Sequence, residues 1–162
     1  MATEKRSKLI TVVQSIERRS VMKLTVNRTD VWTATIKDRA GGAAEKLEPL
    51  AKAGANFEFV FARRTPEQPG MGILFVWPVK GANVIRAAQE AGFAKSGNIH
   101  WLRIEGADKP GLSAKVARAL ADAGINFRGL SATALGRKFV SHLALDSAED
   151  RDKAVSVLKK LS

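Results

Sequence analysis

Asp108-Lys-Pro-Gly-Leu112, followed by Leu120-Ala-Asp-Ala-Gly-Ile-Asn-Phe127, recurs seventy residues earlier as Asp38-Arg-Ala-Gly-Gly42 followed by Leu50-Ala-Lys-Ala-Gly-Ala-Asn-Phe57. Aligned without a gap, residues 38–57 and 108–127 are identical at nine of twenty positions. The Ala matches carry little weight in an Ala-rich chain, but the Asp, Gly, Asn and Phe matches do. A fixed internal period sets the unit of folding before any element is assigned. The chain of 162 residues therefore reads as two modules. Each alone would have a thin core, so they are expected to lean on each other or on a second copy, and a homodimer is expected.

Working outward from the second copy, Trp101–Glu105 alternates apolar and polar residues and predicts a strand. Asp108–Gly111 is a turn, with Pro110 and Gly111 suited to a helix entry. Leu112, Val116, Ala119, Leu120 and Ala123 recur at helical spacing, and Gly124 supplies a stop. Ile125–Leu135 and Lys138–Leu145 predict a hairpin around Gly136, and Ala148–Leu161 a second helix entered through Asp146-Ser147. The first copy predicts strand 31–37, helix 43–53, hairpin strands 55–64 and 71–79, helix 83–91 and a last strand 93–96. Pro49 is expected to kink or break the first helix near Glu48.

Copy one is thus βαββαβ: an antiparallel sheet with both helices on one face, the ferredoxin-like arrangement of an α+β protein. Copy two runs to Ser162 without a last strand. Lys23-Leu-Thr-Val-Asn27 alternates like a strand and has no role in copy one. It is expected to complete the second module and cover its open edge. The expected organisation is an N-terminal extension over 1–21, a completing strand over 22–28, a first module over 29–97 and a second over 98–162. Leu9, Val12, Val13 and Ile16 of the extension fit a helical stripe.

The frame of strand, Asp-x-Pro-Gly turn, helix, Ala-Gly-Ile-Asn and strand resembles an ACT domain, the small regulatory module of amino-acid metabolism. The likeness spans nearly all of 99–161 and, more weakly, 30–96. It implies modules joined side by side into a continuous sheet, and a small-molecule-binding regulatory protein that senses a free amino acid at a module or subunit interface. It implies ligand contacts from Asp108, Lys109, Pro110, Gly111, Leu112 and Ser113, with Asn126 nearby, and from Asp38, Arg39, Ala40, Gly41, Gly42 and Ala43 in copy one. Copy one departs from the pattern where Ala40 replaces the turn proline, while Gly41-Gly42 would leave more room. The turn chemistry agrees, because a helix start offers unpartnered amides and partial positive charge to a carboxylate. Asn56 and Asn126 also fit turn amides that serve the local backbone, and Phe57 and Phe127 fit the core.

The net charge of +11 admits a nucleic-acid reading. The charges are scattered, however: residues 1–21 carry five basic and two acidic side chains, leaving +8 over the other 141. No strand matches the aromatic pattern of RNA-binding sheets. Nucleic acid is therefore the alternative reading, and a dimerisation module without ligand is another. No apolar run approaches the length of a membrane span, and the absence of cysteine fits a reducing, cytoplasmic setting. Phosphate-loop, dinucleotide and nucleophile-elbow motifs are absent, and neither His100 nor His142 lies in a metal-ligand cluster, so neither catalysis, a metal nor a cofactor is expected. A regulated protein partner would read any ligand-driven change.

Overall fold

The computed structural model describes residues 23–161; the helical stripe read in the extension, and Met22, lie outside them. The order of elements is β1 (Thr25–Thr29), β2 (Trp32–Lys37), α1 (Ala44–Lys52), β3 (Phe59–Arg64), β4 (Met71–Trp77), α2 (Ala82–Glu90), β5 (Ala94–Lys95), β6 (His100–Ala107), α3 (Leu112–Asp122), β7 (Gly129–Leu135), β8 (Lys138–Leu145) and α4 (Ala148–Lys159). They build two antiparallel four-stranded sheets, β3-β4-β2-β5 and β1-β6-β8-β7. These are ferredoxin-like modules of the α+β class.

The two strand orders superpose if β1 stands where β5 stands in the first sheet. β1 pairs antiparallel with β6, from Thr25 opposite Glu105 to Thr29 opposite Trp101. Leu24 and Val26 enter the second module's core beside Leu102, Ile104, Leu143 and Leu145. Leu24 is held close: a Cβ added to Gly106 would lie 2.7 Å from its Cδ2. From β1 in the second sheet the chain therefore builds the whole first module and then returns.

Each core lies between sheet and helices. In α3, Leu112, Val116 and Leu120 repeat every four residues and face the sheet as one buried stripe. Ser147 caps α4 by accepting the Asp150 amide at 3.0 Å. The first module buries Trp32, Ala34, Leu74 and Val76 of its sheet against Leu50 and Ala88 of its helices. α1 continues through Pro49 to Lys52, so the expected break near Glu48 does not occur.

The sheets are not joined edge to edge, which corrects the side-by-side arrangement implied by the resemblance. They stack through the faces turned away from the helices. Val31, Phe75, Trp101 and Ala144 form a third buried cluster there, flanked by Phe59, Ile73, Trp77 and Ile99. Strand alternation requires it: Phe75 and Trp77 point opposite to Leu74 and Val76. Phe59 and Phe61 are paired with Trp77 and Phe75 and so lie on this inner face.

Because Leu24 packs, with Val26, into a core otherwise drawn from residues beyond 100, Leu24→Ala is expected to cost about 2–4 kcal/mol by urea denaturation. The loss should appear as faster amide exchange in β6, with β2 and β4 less affected.

Candidate functional site

The duplicated turns differ in what surrounds them. In the second module the Asp108 amide donates to the Arg137 carbonyl at 2.8 Å, tying the turn to the β7–β8 hairpin. Gly111 is the N-cap of α3 at φ +78° with no capping side chain, and a Cβ there would meet nothing within 4 Å. The left-handed backbone favours glycine, and the space beyond it is open. Asp108, Pro110, Gly111 and Ser113 are exposed and Lys109 is half-buried. Leu112 is 2 % exposed and belongs to the core, so only its backbone can face a ligand.

The first module's turn is closed on itself. The Asp38 carboxylate pairs with Arg64 at 2.8 Å, and Arg39 folds back onto Glu45 in the first turn of α1. A Cβ on Gly42 would sit 2.1 Å from the Lys37 carbonyl oxygen. Glycine at 42 therefore serves a tight backbone approach, which corrects the expectation that Gly41-Gly42 makes room for a ligand. Gly41, at φ +85°, and Ala40 are exposed, while Ala43 is the N-cap of α1, again without a side-chain cap. A shallow depression of about 210 Å³ remains beside this turn, lined in part by Asp38, Arg39, Ala43 and Arg64.

Asn126 is exposed and follows α3, whereas the Asp108–Gly111 turn precedes it. The helix of 11 residues puts roughly 16 Å between them. One module therefore cannot bring both to one small ligand. Phe57 and Phe127 pack partly buried against their respective cores.

A second candidate lies between the sheets, where the sequence analysis placed no site. A cavity of about 190 Å³ is walled by Phe59, Phe61, Phe75, Trp101 and His142, with Arg63 and Arg128 also lining it. Phe59 stacks on the His142 ring at 4.0 Å between centroids, and Phe75 meets Trp101 edge-on at 5.5 Å. The signal was present in β4: Ile73-Leu-Phe-Val-Trp77 is apolar at both parities, as a strand buried on both faces should be.

Beside the cavity, Arg103 joins the modules. It pairs with Glu105 at 2.9 Å in its own strand and with Glu58 of the first module at 3.2 Å, and its guanidinium lies 5.2 Å from the Trp77 ring centre. The Lys138 ammonium, bonded to Glu105 at 2.6 Å, holds that carboxyl below its usual range despite burial. Burial first, and the Arg103 charge second, lower the His142 pKa to about 4. This imidazole is neutral at physiological pH. Among the described residues, no group of acidic, histidine or cysteine side chains has the spacing to hold a metal, and no helix is long and apolar enough to cross a membrane.

Residues 100–162 match the sequence model of the ACT domain. The second module is therefore similar to an ACT domain over residues 100–162, and the chain pairs it with a first module of the same topology. Among solved structures, the chain is similar to protein BT0572 from Bacteroides thetaiotaomicron, at 20% identity and a TM-score of 0.66 over 87% of this chain and 90% of that one. It is also similar to the ligand-free regulatory subunit of aspartate kinase from Thermus thermophilus, at 17% identity and 0.59 over 88% and 99%. The aspartate kinase of Clostridium acetobutylicum matches at 14% identity and 0.56, over 89% of this chain and 35% of that one. At these identities the likeness establishes the fold. No curated protein matches the chain.

His142 should make stability depend on pH. In the unfolded chain the imidazole takes up a proton as pH falls through 6.5, whereas the folded imidazole resists until about 4. Acid therefore favours unfolding across that window, by at most about 3 kcal/mol. Urea denaturation at pH 7 and pH 5 is expected to show the loss, and His142→Gln to flatten it.

Proposed function

We propose that this chain is a small-molecule-binding regulatory protein without catalytic function, sensing a free amino acid at the turn that opens α3. The observation that carries the reading is Gly111: a left-handed, uncapped helix start with open space beyond it, inside the part that matches the ACT domain. Amides at such a start and the positive end of the helix suit a carboxylate, and exposed Asp108 suits an ammonium group. Main-chain recognition of this kind reads what all amino acids share. Side-chain selection then falls to a wall supplied by a neighbouring module or by the second copy of a homodimer. Asn126 can contribute only from such a neighbour, given its place at the far end of α3. The second module is the primary site, because its turn lies inside the residues that match the ACT domain, whereas Gly42 packs the first turn against the Lys37 carbonyl.

The regulatory part of the proposal follows from the stacked sheets. A ligand shifts an arrangement only as far as it prefers one form over the other, and a protein partner in a cytoplasmic setting reads that shift. Nucleic acid is disfavoured, because the faces that would stack bases are turned onto each other and Phe139 is buried under the helices.

A thermal-shift screen of the free amino acids tests this. At a hundredfold excess over Kd, the ligand is expected to stabilise the fold by about 2.7 kcal/mol, a rise of several degrees. Gly111→Val and Ser113→Trp should each abolish the rise, the second without straining the backbone. No shift with any amino acid, in folded protein, would leave a dimerisation module as the reading.

A further inference from the structure

We propose that the cleft between the two sheets is a second binding site, made for a small monocyclic aromatic carboxylate whose ring enters the aromatic wall and whose carboxylate meets Arg63 and Arg128. Its size fits one ring: about 190 Å³, against the roughly 150 Å³ of apolar cavities that take up benzene. Phe59, Phe61, Phe75 and Trp101 supply ring faces and edges from both modules. Ligands of this kind bind in concave, mostly apolar sites with a few placed polar groups.

The charge is one-sided. No acidic residue lines the cavity, whereas two guanidinium groups do. Arg63 has no carboxylate partner among the described residues, and Arg128 holds Asp146 through Nε at 2.8 Å in an exposed pair. Surface pairs of that kind are weak and exchange readily. An α-amino acid would find no carboxylate here for its ammonium, which separates this ligand class from that of the α3 turn.

Two wall residues are also polar and unsatisfied. Trp101 is 7 % and His142 4 % exposed, and neither Trp101 Nε1 nor His142 Nε2 has a hydrogen-bond partner. Native interiors rarely leave such atoms unpaired. A ligand with oxygen acceptors, or water that it carries in, would satisfy the indole N–H. The site exists only while the modules are stacked, because Phe59, Phe61 and Phe75 come from the first and Trp101, Arg128 and His142 from the second.

Calorimetric titration of the full chain with benzoate tests the proposal, with benzamide as the uncharged comparison. Saturable benzoate binding is expected, weaker by about tenfold in each of Arg63→Ala and Arg128→Ala, and weaker by a similar factor for benzamide. Both arginines are on the surface, and near-UV circular dichroism verifies that the variants remain folded. The proposal is overturned if folded protein shows no saturable benzoate binding, if the double variant binds benzoate as the unaltered chain does, or if benzamide binds equally well.

Discussion

The inner faces of the two sheets constrain everything else in this fold. A four-stranded sheet with helices on one side leaves its other side to solvent, and here that side carries Ile73, Phe75 and Trp77 in one module and Trp101 in the other. Stacking removes Phe75 and Trp101 almost wholly from water. Aromatic contacts across the seam, Phe59 with Trp101 at 5.9 Å and Phe75 with Trp101 at 5.5 Å, each add about 0.5–1.5 kcal/mol beyond area burial. The same seam accepts costs: a histidine buried neutral, and Arg103 drawn in with its carboxylates and the Trp77 ring. Small modules that expose so much apolar surface cannot be treated as independent units.

Chain connectivity reinforces the stack. β1 belongs to the second sheet, so the first module is an insertion between two paired strands of its neighbour. Closing β1 onto β6 across some seventy residues would carry a loop-closure cost in an open chain. The folded first module offsets it, because β5 lies beside β2 and returns the chain near its point of entry. Lys95 pairs with Asp30 at 2.7 Å and the Ser96 amide donates to the Val31 carbonyl at 3.3 Å at that crossing.

Local chemistry made most of the fold legible. The βαββα order, the turn glycines, the Ser147 cap and the buried stripe of α3 follow from spacing and residue type, and the strand character of residues 23–27 from alternation. What the sequence hid was the choice between faces. Alternation says that two sets of side chains point apart, not which set meets helices and which meets a second sheet. Phe59 and Phe61 illustrate this, since an apolar strand face is equally consistent with either cover. Gly42 shows a related limit: a glycine that admits a ligand and one that admits its own backbone look alike until the Lys37 carbonyl is placed beside it. The inter-sheet cavity was hidden for the same reason, as its lining comes from β3, β4, β6, β7 and β8.

One strand connects the two candidate sites. β6 carries Trp101 into the inter-sheet wall and ends at Ala107, immediately before the turn that opens α3. On its inter-sheet face Trp101 packs against Phe59 and Phe75 and Arg103 pairs with Glu58, which holds the first module, while Leu102 and Ile104 between them seat α3 and α4. β6 is therefore common to the cavity wall and to the approach of the turn. Coupling free energies are reciprocal: where binding at one site raises affinity at the other, the second ligand raises affinity at the first by the same factor. The duplication matters through this asymmetry: the first module, its own turn closed by Arg64 and Arg39, acts as the second wall of its neighbour.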